Sequence, residues 1–398
     1  MDAVPHKPPY WRLSGFYFFY FASLGALIPY WGLYLNSLGF DAAAIGSLMA
    51  IIMATKIISP NIWGWIADHT GKRMAIVRLG SLIAAICFIG IFFTVQFWWL
   101  ALVMLLFSFF WNAALPQFEA TTFSHLKTEI HRYSSIRLWG SIGFIIAVWA
   151  LGDVLNKFGM SYLPGILLIL FLGIWLMSLL VPEEAAGHLP MGHEPLRKVL
   201  THPAVIGLLI SCFLMQASHG PYYTFYSIYM KEQGYSLGVI GAMWAVGVIA
   251  EVLVFLVMHR LVPVFGLKPL LISSLLLASA RWVLIGLFPA QGVIMFFAQC
   301  LHAASFGIYH AAAIQLIHTY FTGRHQGKGQ ALYSSLSFGA GGAAGSFLSG
   351  YAWASLGGNL TFVLAALSSL IAVFIAWRYV EDKPLTPKYW KIIKTGGC

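Results

Sequence analysis

Glu251, Arg281 and His302 stand in apolar surroundings that do not welcome charge. Glu251 sits in "VGVIAEVLVFLVM", Val246 to Met258, with no other ionisable side chain for seven residues on either side, and Arg281 lies in "ARWVLIG". A charge near the centre of a bilayer costs at least about 2.5–3.5 kcal/mol on insertion scales, so each must face the protein interior and find a partner. Antiparallel helices joined by a short turn place residues equally far from that turn at equal depth. Glu251 and Arg281 are each fifteen residues from Gly266, and Arg281 and His302 are each about ten from a turn at Ala290 and Gln291. All three are expected at one level. A carboxylate whose protonation answers to desolvation and to a nearby guanidinium, with an imidazole beside it, is what a proton-coupling site needs. The alternative is a static Glu–Arg pair that pins two helices, with His302 merely hydrogen-bonded.

Glu119 and Arg137 form a second constellation. They are eighteen residues apart and straddle a turn near Thr128, which puts each about nine residues, or about 13 Å, from it on adjacent helices. Lys56, in "IIMATKIISPN", reads either as a snorkelling or paired helix lysine or as an anchor for a substrate carboxylate. Aromatic residues are dense in two places: Tyr17, Tyr20, Phe21, Tyr30 and Trp31, and then Tyr222, Tyr223, Phe225 and Tyr226 beside His219. Roughly half should face lipid. The rest would give a flat apolar wall suited to an aromatic ring or a sugar face.

The elements that position these residues follow from composition. The chain has 398 residues, is 60% hydrophobic and only 9% charged, so it cannot cover a soluble surface of its size. Apolar segments long enough to span about 30 Å recur at about 12–36, 42–66, 74–95, 98–124, 135–156, 161–181, 204–230, 236–259, 268–288, 291–319, 329–352 and 357–379. Twelve transmembrane helices are expected, and the opening "MDAVPHKPPYWR" leads into a retained first helix rather than a signal peptide. Of 23 Lys and Arg, 19 flank or lie in the tails and even-numbered loops, which places both termini in the cytoplasm. The net charge of +10 is therefore topological and gives no reason to invoke nucleic acid. The polar stretch "PEEAAGHLPMGHEPLRKVLTHP", 182–203, divides the helices six and six. The domain reading is a first half at 1–182, a linker at 183–203, a second half at 204–382 and a tail at 383–398. "FGAGGAAGSFLSG", 338–350, suits close helix packing or a sliding surface. Cys87, Cys212, Cys300 and Cys398 have no metal-ligand spacing and read as inert.

"GWIADHTGKR" contains Gly64, Asp68, Gly71, Lys72 and Arg73. It resembles the signature loop of the major facilitator superfamily, falling between the second and third segments. Asp68 is expected to cap the next helix or to pair with a basic residue across the cytoplasmic face, and Gly71 to permit the turn. The matching loop of the second half, "HRLVPVFGLK", keeps Gly266 and Lys268 but lacks the Asp. Within the superfamily the chain looks like the proton-coupled sugar and phenylpropionate permeases, through "LPQFEA", "SSIRLWGSIGF", "MQASHGPYYTFYSIY", "ARWVLIG" and "LHAASFGIYHAA". The resemblance implies a fold of two pseudo-symmetric six-helix halves and substrate contacts from Glu119 and Arg137, as in permeases of the lactose type. It implies coupling through Arg281 and His302. The acidic residue one turn after that His is Ser305 here, so Glu251 would have to take its place. Lys56 looks like the basic residue found there in phenylpropionate permeases.

The resulting reading is an all-α transporter of a bacterial inner membrane. It imports a small organic solute with protons by rocking of the two halves, with protons as coupling ion and no cofactor. Tyr20, His219, Tyr222 and Tyr223 join Glu119, Arg137 and Lys56 as candidate substrate contacts. An aromatic carboxylate is favoured by Lys56, a sugar or nucleoside by Glu119 with Arg137. The rival is a proton-driven exporter of drugs or siderophores. Enzyme chemistry is not expected, since no nucleophile elbow, phosphate loop or metal cluster appears, and a monomer suffices.

Overall fold

The computed structural model of the chain describes residues 8–127, 129–184 and 199–382. Most of the expected linker and all of the expected tail at 383–398 lie outside the described residues. Helices α1 (Tyr10–Ser37), α2 (Ala42–Thr70), α3 (Arg73–Phe92), α4 (Phe97–Leu126), α5 (Ile130–Phe158) and α6 (Met160–Leu180) precede the linker. After it come α7 (Pro203–Glu232), α8 (Leu237–Phe265), α9 (Leu267–Leu287) and α10 (Gly292–Tyr320). A final helical run, Gln326–Tyr379, has 54 residues. At about 1.5 Å per residue it would extend about 80 Å, far beyond a bilayer's hydrocarbon. Gly357, with φ 76° and ψ 175°, breaks it into α11 (326–356) and α12 (358–379). The described residues thus supply twelve spans.

The two halves repeat their local chemistry. Asp41 caps α2 by accepting from the Ala44 N–H at 2.8 Å, and Ser236 caps α8 by accepting from the Val239 N–H at 3.3 Å. The Glu183 carboxylate, just past α6, accepts from the Met74 and Ala75 N–H groups at the start of α3. Asp382, just past α12, accepts from the Lys268 N–H at the start of α9. Exposed N–H groups at a helix start favour a carboxylate, and each half draws it from its own sixth helix.

Large apolar side chains clothe the outside: Trp98, Ile169, Phe374 and Trp377 are each at least 60% exposed. Such a surface suits lipid, where water would penalise it. Between the halves, α2 packs along α11, α5 along α8 and α1 against α7. Glycine permits the closest approaches. A Cβ on Gly46 would fall 2.7 Å from Ser346 O and from Gly350 Cα, and one on Gly152 would fall 2.5 Å from Leu237 O. These approaches lie toward the end of the molecule remote from the face where α1 starts and α12 finishes.

Three helices depart from regularity beside the candidate site. In α7 the helix is interrupted at His219, because Pro221 lacks an N–H and its ring crowds the carbonyl four residues before it. In α10 and α11 the turns Ala303–Ile308 and Ser335–Gly341 are π-helical. Such turns widen a helix locally and concentrate at functional sites.

Candidate functional site

Arg281 is fully buried, and every edge of its guanidinium is occupied. Nε donates to Ala298 O at 2.9 Å, Nη2 to Gln299 Oε1 at 3.2 Å, and Nη1 to Ser305 Oγ at 3.2 Å and to His302 Nδ1 at 3.0 Å. Its plane lies 4.1 Å from the Tyr222 ring centroid and 4.7 Å from that of Trp282, so the cation is also held by aromatic faces. Because an arginine only donates, His302 Nδ1 must be the acceptor, and the ring proton of the neutral imidazole then sits on Nε2. Nε2 faces Glu251 Oε2 at 3.5 Å.

The three residues expected at one depth are therefore brought together, but in a chain. Among the described residues no ion pair joins Glu251 to Arg281; His302 stands between them. The static Glu–Arg pair is not formed. Packing explains the proximity of α8 and α10. A Cβ on Gly307 would fall 2.8 Å from Val254 and 3.3 Å from the Glu251 side chain, and one on Gly247 would fall 3.4 Å from His302. Two glycines facing each other's helices let the carboxylate and the imidazole meet. Arg281 is sealed while the Glu251 side chain keeps 18% exposure, so only the carboxylate end of the chain is reachable.

The first half contributes Glu119 and Arg137, with Arg137 Nε 3.8 Å from Glu119 Oε1 and the Tyr133 hydroxyl 3.5 Å from the same oxygen. The Arg137 guanidinium lies 3.8 Å from the Phe21 centroid. It is also within Coulombic reach of Glu251 and of His310 on the opposite half. Lys56 lines a cavity of about 180 Å³ with Tyr20, Phe21, Trp111, Asn112 and, from α11, Phe338. Tyr20 and Trp111 are stacked there, 5.0 Å apart and 13° from parallel. Among the described residues Lys56 has no ion pair within 4.0 Å.

The sequence matches the model of the MFS_1 like family over residues 10–364. The chain belongs to the MFS_1 like family. It is 27% identical to a probable 3-phenylpropionic acid transporter of Escherichia coli (strain K12), over 94% of this chain and 98% of that one. It is 26% identical to a maltose permease of Geobacillus stearothermophilus, over 82% and 83% of the two chains. A crystal structure of a mutant nucleoside transporter NupG superposes with a TM-score of 0.84 at 18% identity, covering 94% of this chain and all of the other. The fold is that of the major facilitators, and this member of the family is a multi-span membrane transporter.

The family's signature segment is placed differently from expectation. Gly64 to Thr70 remain within α2, and only Gly71 and Lys72 turn the chain, with Gly71 in the left-handed region at φ 67°. A helix 29 residues long outreaches the hydrocarbon, so the motif sits on its emergent end. Asp68 does not cap α3; Glu183 does. Asp68 instead pairs with Arg73 of its own turn, Oδ1 to Nη2 at 3.6 Å, and remains 72% exposed.

The aromatic candidates do not split between lipid and interior as expected: Tyr17, Tyr20, Tyr30, Trp31, Tyr222, Phe225 and Tyr226 are buried, and Phe21 and Tyr223 half-buried. Tyr20 lines the Lys56 cavity, whereas Tyr222 and His219 are buried in the Arg281 network. The Tyr222 hydroxyl donates to Gln299 Oε1 at 2.9 Å, and His219 Nδ1 bonds Met215 O at 2.9 Å. Tyr223, half-buried, lies nearly parallel to Trp244. Sequence reasoning missed Gln299, Phe306 and His310. The last two follow His302 at i+4 and i+8 in "HAASFGIYH", a helical spacing that was there to be used. Among the described residues no group of His, Cys, Asp and Glu is arranged to hold a metal ion.

Proposed function

We propose that the protein is a proton-coupled importer of a small aromatic carboxylate across a bacterial cytoplasmic membrane, with both termini in the cytoplasm. One observation carries the reading: a partly exposed intramembrane carboxylate, Glu251, faces an imidazole whose other nitrogen is committed to a buried arginine. With Arg281 satisfied by other acceptors, Glu251 is free to gain and lose a proton without stranding a buried cation. The close approach of the halves at the end remote from the start of α1 supports a state in which Glu251 exchanges protons with the cytoplasmic side.

Substrate class follows from Lys56. A cation with no carboxylate partner among the described residues, in a cavity walled by stacked Tyr20 and Trp111, favours an organic anion carrying a ring. The 3-phenylpropionic acid transporter among the relatives supports the same class. Glu119 with Arg137 favours a second reading, a sugar or nucleoside held by bidentate hydrogen bonds. The protein is proposed to work as a monomer, with protons as its coupling ion and no cofactor.

Uptake of labelled 3-phenylpropionate and of a neutral sugar into vesicles with imposed pH gradients of either sign separates these readings. Accumulation of the acid when the interior is alkaline, beyond that of protein-free vesicles into which the undissociated acid diffuses, supports proton-coupled import. Loss of preloaded solute on that same gradient, protons entering as solute leaves, indicates an exporter, and accumulation of the sugar alone replaces the substrate class.

A further inference from the structure

The proton chain and the Lys56 cavity lie on different helices, and one side chain touches the wall of both. Phe306, on the π-helical turn of α10, stacks on His302 with centroids 5.4 Å apart and planes 16° from parallel. It meets Phe338 edge-on at 6.1 Å. Phe338 occupies the π-helical turn of α11 and lines the Lys56 cavity. A second stack, at 5.9 Å and 11°, ties Phe306 to His310, whose Nδ1 lies 3.1 Å from the Tyr333 hydroxyl.

We propose that Phe306 is a positioning residue that holds the His302 imidazole against Glu251 and links it, through Phe338, to the cavity where substrate binds. The physical basis is the geometry of the imidazole. His302 is fixed covalently at Cγ and tethered at Nδ1 by Arg281, which leaves a small tilt of the ring as its remaining freedom, and a parallel ring on its face restrains it. A solute against Phe338 presses on Phe306, and a tilt of His302 changes how Nε2 meets Glu251 Oε2. A π-helical turn accommodates such a movement by shifting one residue's register, and here both aromatic residues occupy one. The groups that bear on Glu251 are then His302 from α10, Arg281 from α9 behind it, Tyr222 and Tyr223 from α7, and Arg137 across the cleft.

This inference rests on the proposed proton site, and its test needs no substrate. Infrared titration of the purified full-length chain follows the carboxyl band that Glu251→Gln removes. Phe306→Leu and Phe306→Ala are expected to change the proton affinity of that carboxyl about tenfold, equivalent to about one pH unit, while Phe306→Tyr, which keeps the ring, leaves it within about twofold. Phe338→Leu should act in the same direction, and the double Phe306→Leu, Phe338→Leu should add nothing to Phe306→Leu alone, because both act through one contact. An unchanged titration in Phe306→Leu and Phe306→Ala overturns the proposal, as does an equal change in Phe306→Tyr. Strict additivity of the two leucine variants overturns the link to the cavity. Failure of every Phe306 variant to fold shows the ring to be packing, which also overturns it. If the unmutated protein has no titrating band that Glu251→Gln removes, the proton-site reading itself is wrong, and the inference falls with it.

Discussion

His302 bonds Arg281 through Nδ1 at 3.0 Å and faces Glu251 through Nε2 at 3.5 Å, so one imidazole separates the buried cation from the reachable carboxylate. That separation makes Glu251 and Arg281 unequal. Glu251→Gln removes a charge whose nearest cationic partner is satisfied elsewhere, and should change unfolding free energy by less than about 1 kcal/mol. Arg281→Gln abandons four acceptors and two ring faces and should cost several kcal/mol, about 3–5 for a broken buried charge network. Thermal unfolding of both variants in detergent checks this. Equal destabilisation, repaired in the double variant, would restore the static pair.

Among the described residues Lys56, which faces the aromatic cavity, has no ion-pair partner. Lys56→Gln is expected to weaken binding of 3-phenylpropionate at least about tenfold, the loss of one charge-assisted contact worth about 1.5–3 kcal/mol. Binding of a neutral sugar should be little affected. Calorimetric titration of both ligands is the measurement, and equal losses would return Lys56 to a structural role.

The halves approach closely at Gly46, where a Cβ would lie 2.7 Å from the Gly350 backbone. Gly46→Leu should hold the halves apart there and populate the opposite conformation. A cysteine placed at Ala43 would then be alkylated faster from outside in sealed vesicles than in the Gly46 protein. An unchanged rate would remove Gly46 from this role.

Glu183 and Asp382 cap α3 and α9 in the same way. Glu183→Ala and Asp382→Ala should each cost about 0.5–2 kcal/mol, the range for a lost helix cap. Asp68→Asn, at an exposed pair, should cost little stability yet slow uptake if the turn governs switching. Bulky residues at Gly71 add strain, since its φ of 67° suits glycine. Unfolding curves and initial uptake rates separate the two kinds of effect.

Much of this arrangement was legible in the sequence because hairpins convert residue spacing into depth. Counting fifteen and ten residues from two turns put Glu251, Arg281 and His302 on one level, and they meet. Counting cannot orient side chains about a helix axis, so the order Glu251–His302–Arg281 was not legible. Nor was the cap on α3, because Glu183 is 109 residues from Met74 and reaches it only once α6 has returned to the same face. The π-helical turns escaped for a related reason: they coincide with close approaches of α10 to α8 at Gly307 and of α11 to α7 at Gly341, tertiary features with no local sequence rule. The signature segment was recognised by its residues, but its helical state was missed because α2 continues past the hydrocarbon.

The most direct test of the central claim follows proton and solute together in proteoliposomes reconstituted with the full-length chain. A pH-sensitive dye inside reports protons while labelled 3-phenylpropionate is added outside. The account predicts internal acidification tied to uptake in the unmutated protein and its loss in Glu251→Gln, which mimics the protonated acid and should still exchange solute down its own gradient. Proton-driven accumulation persisting in Glu251→Gln would contradict the account and leave the carboxylate without a part in coupling.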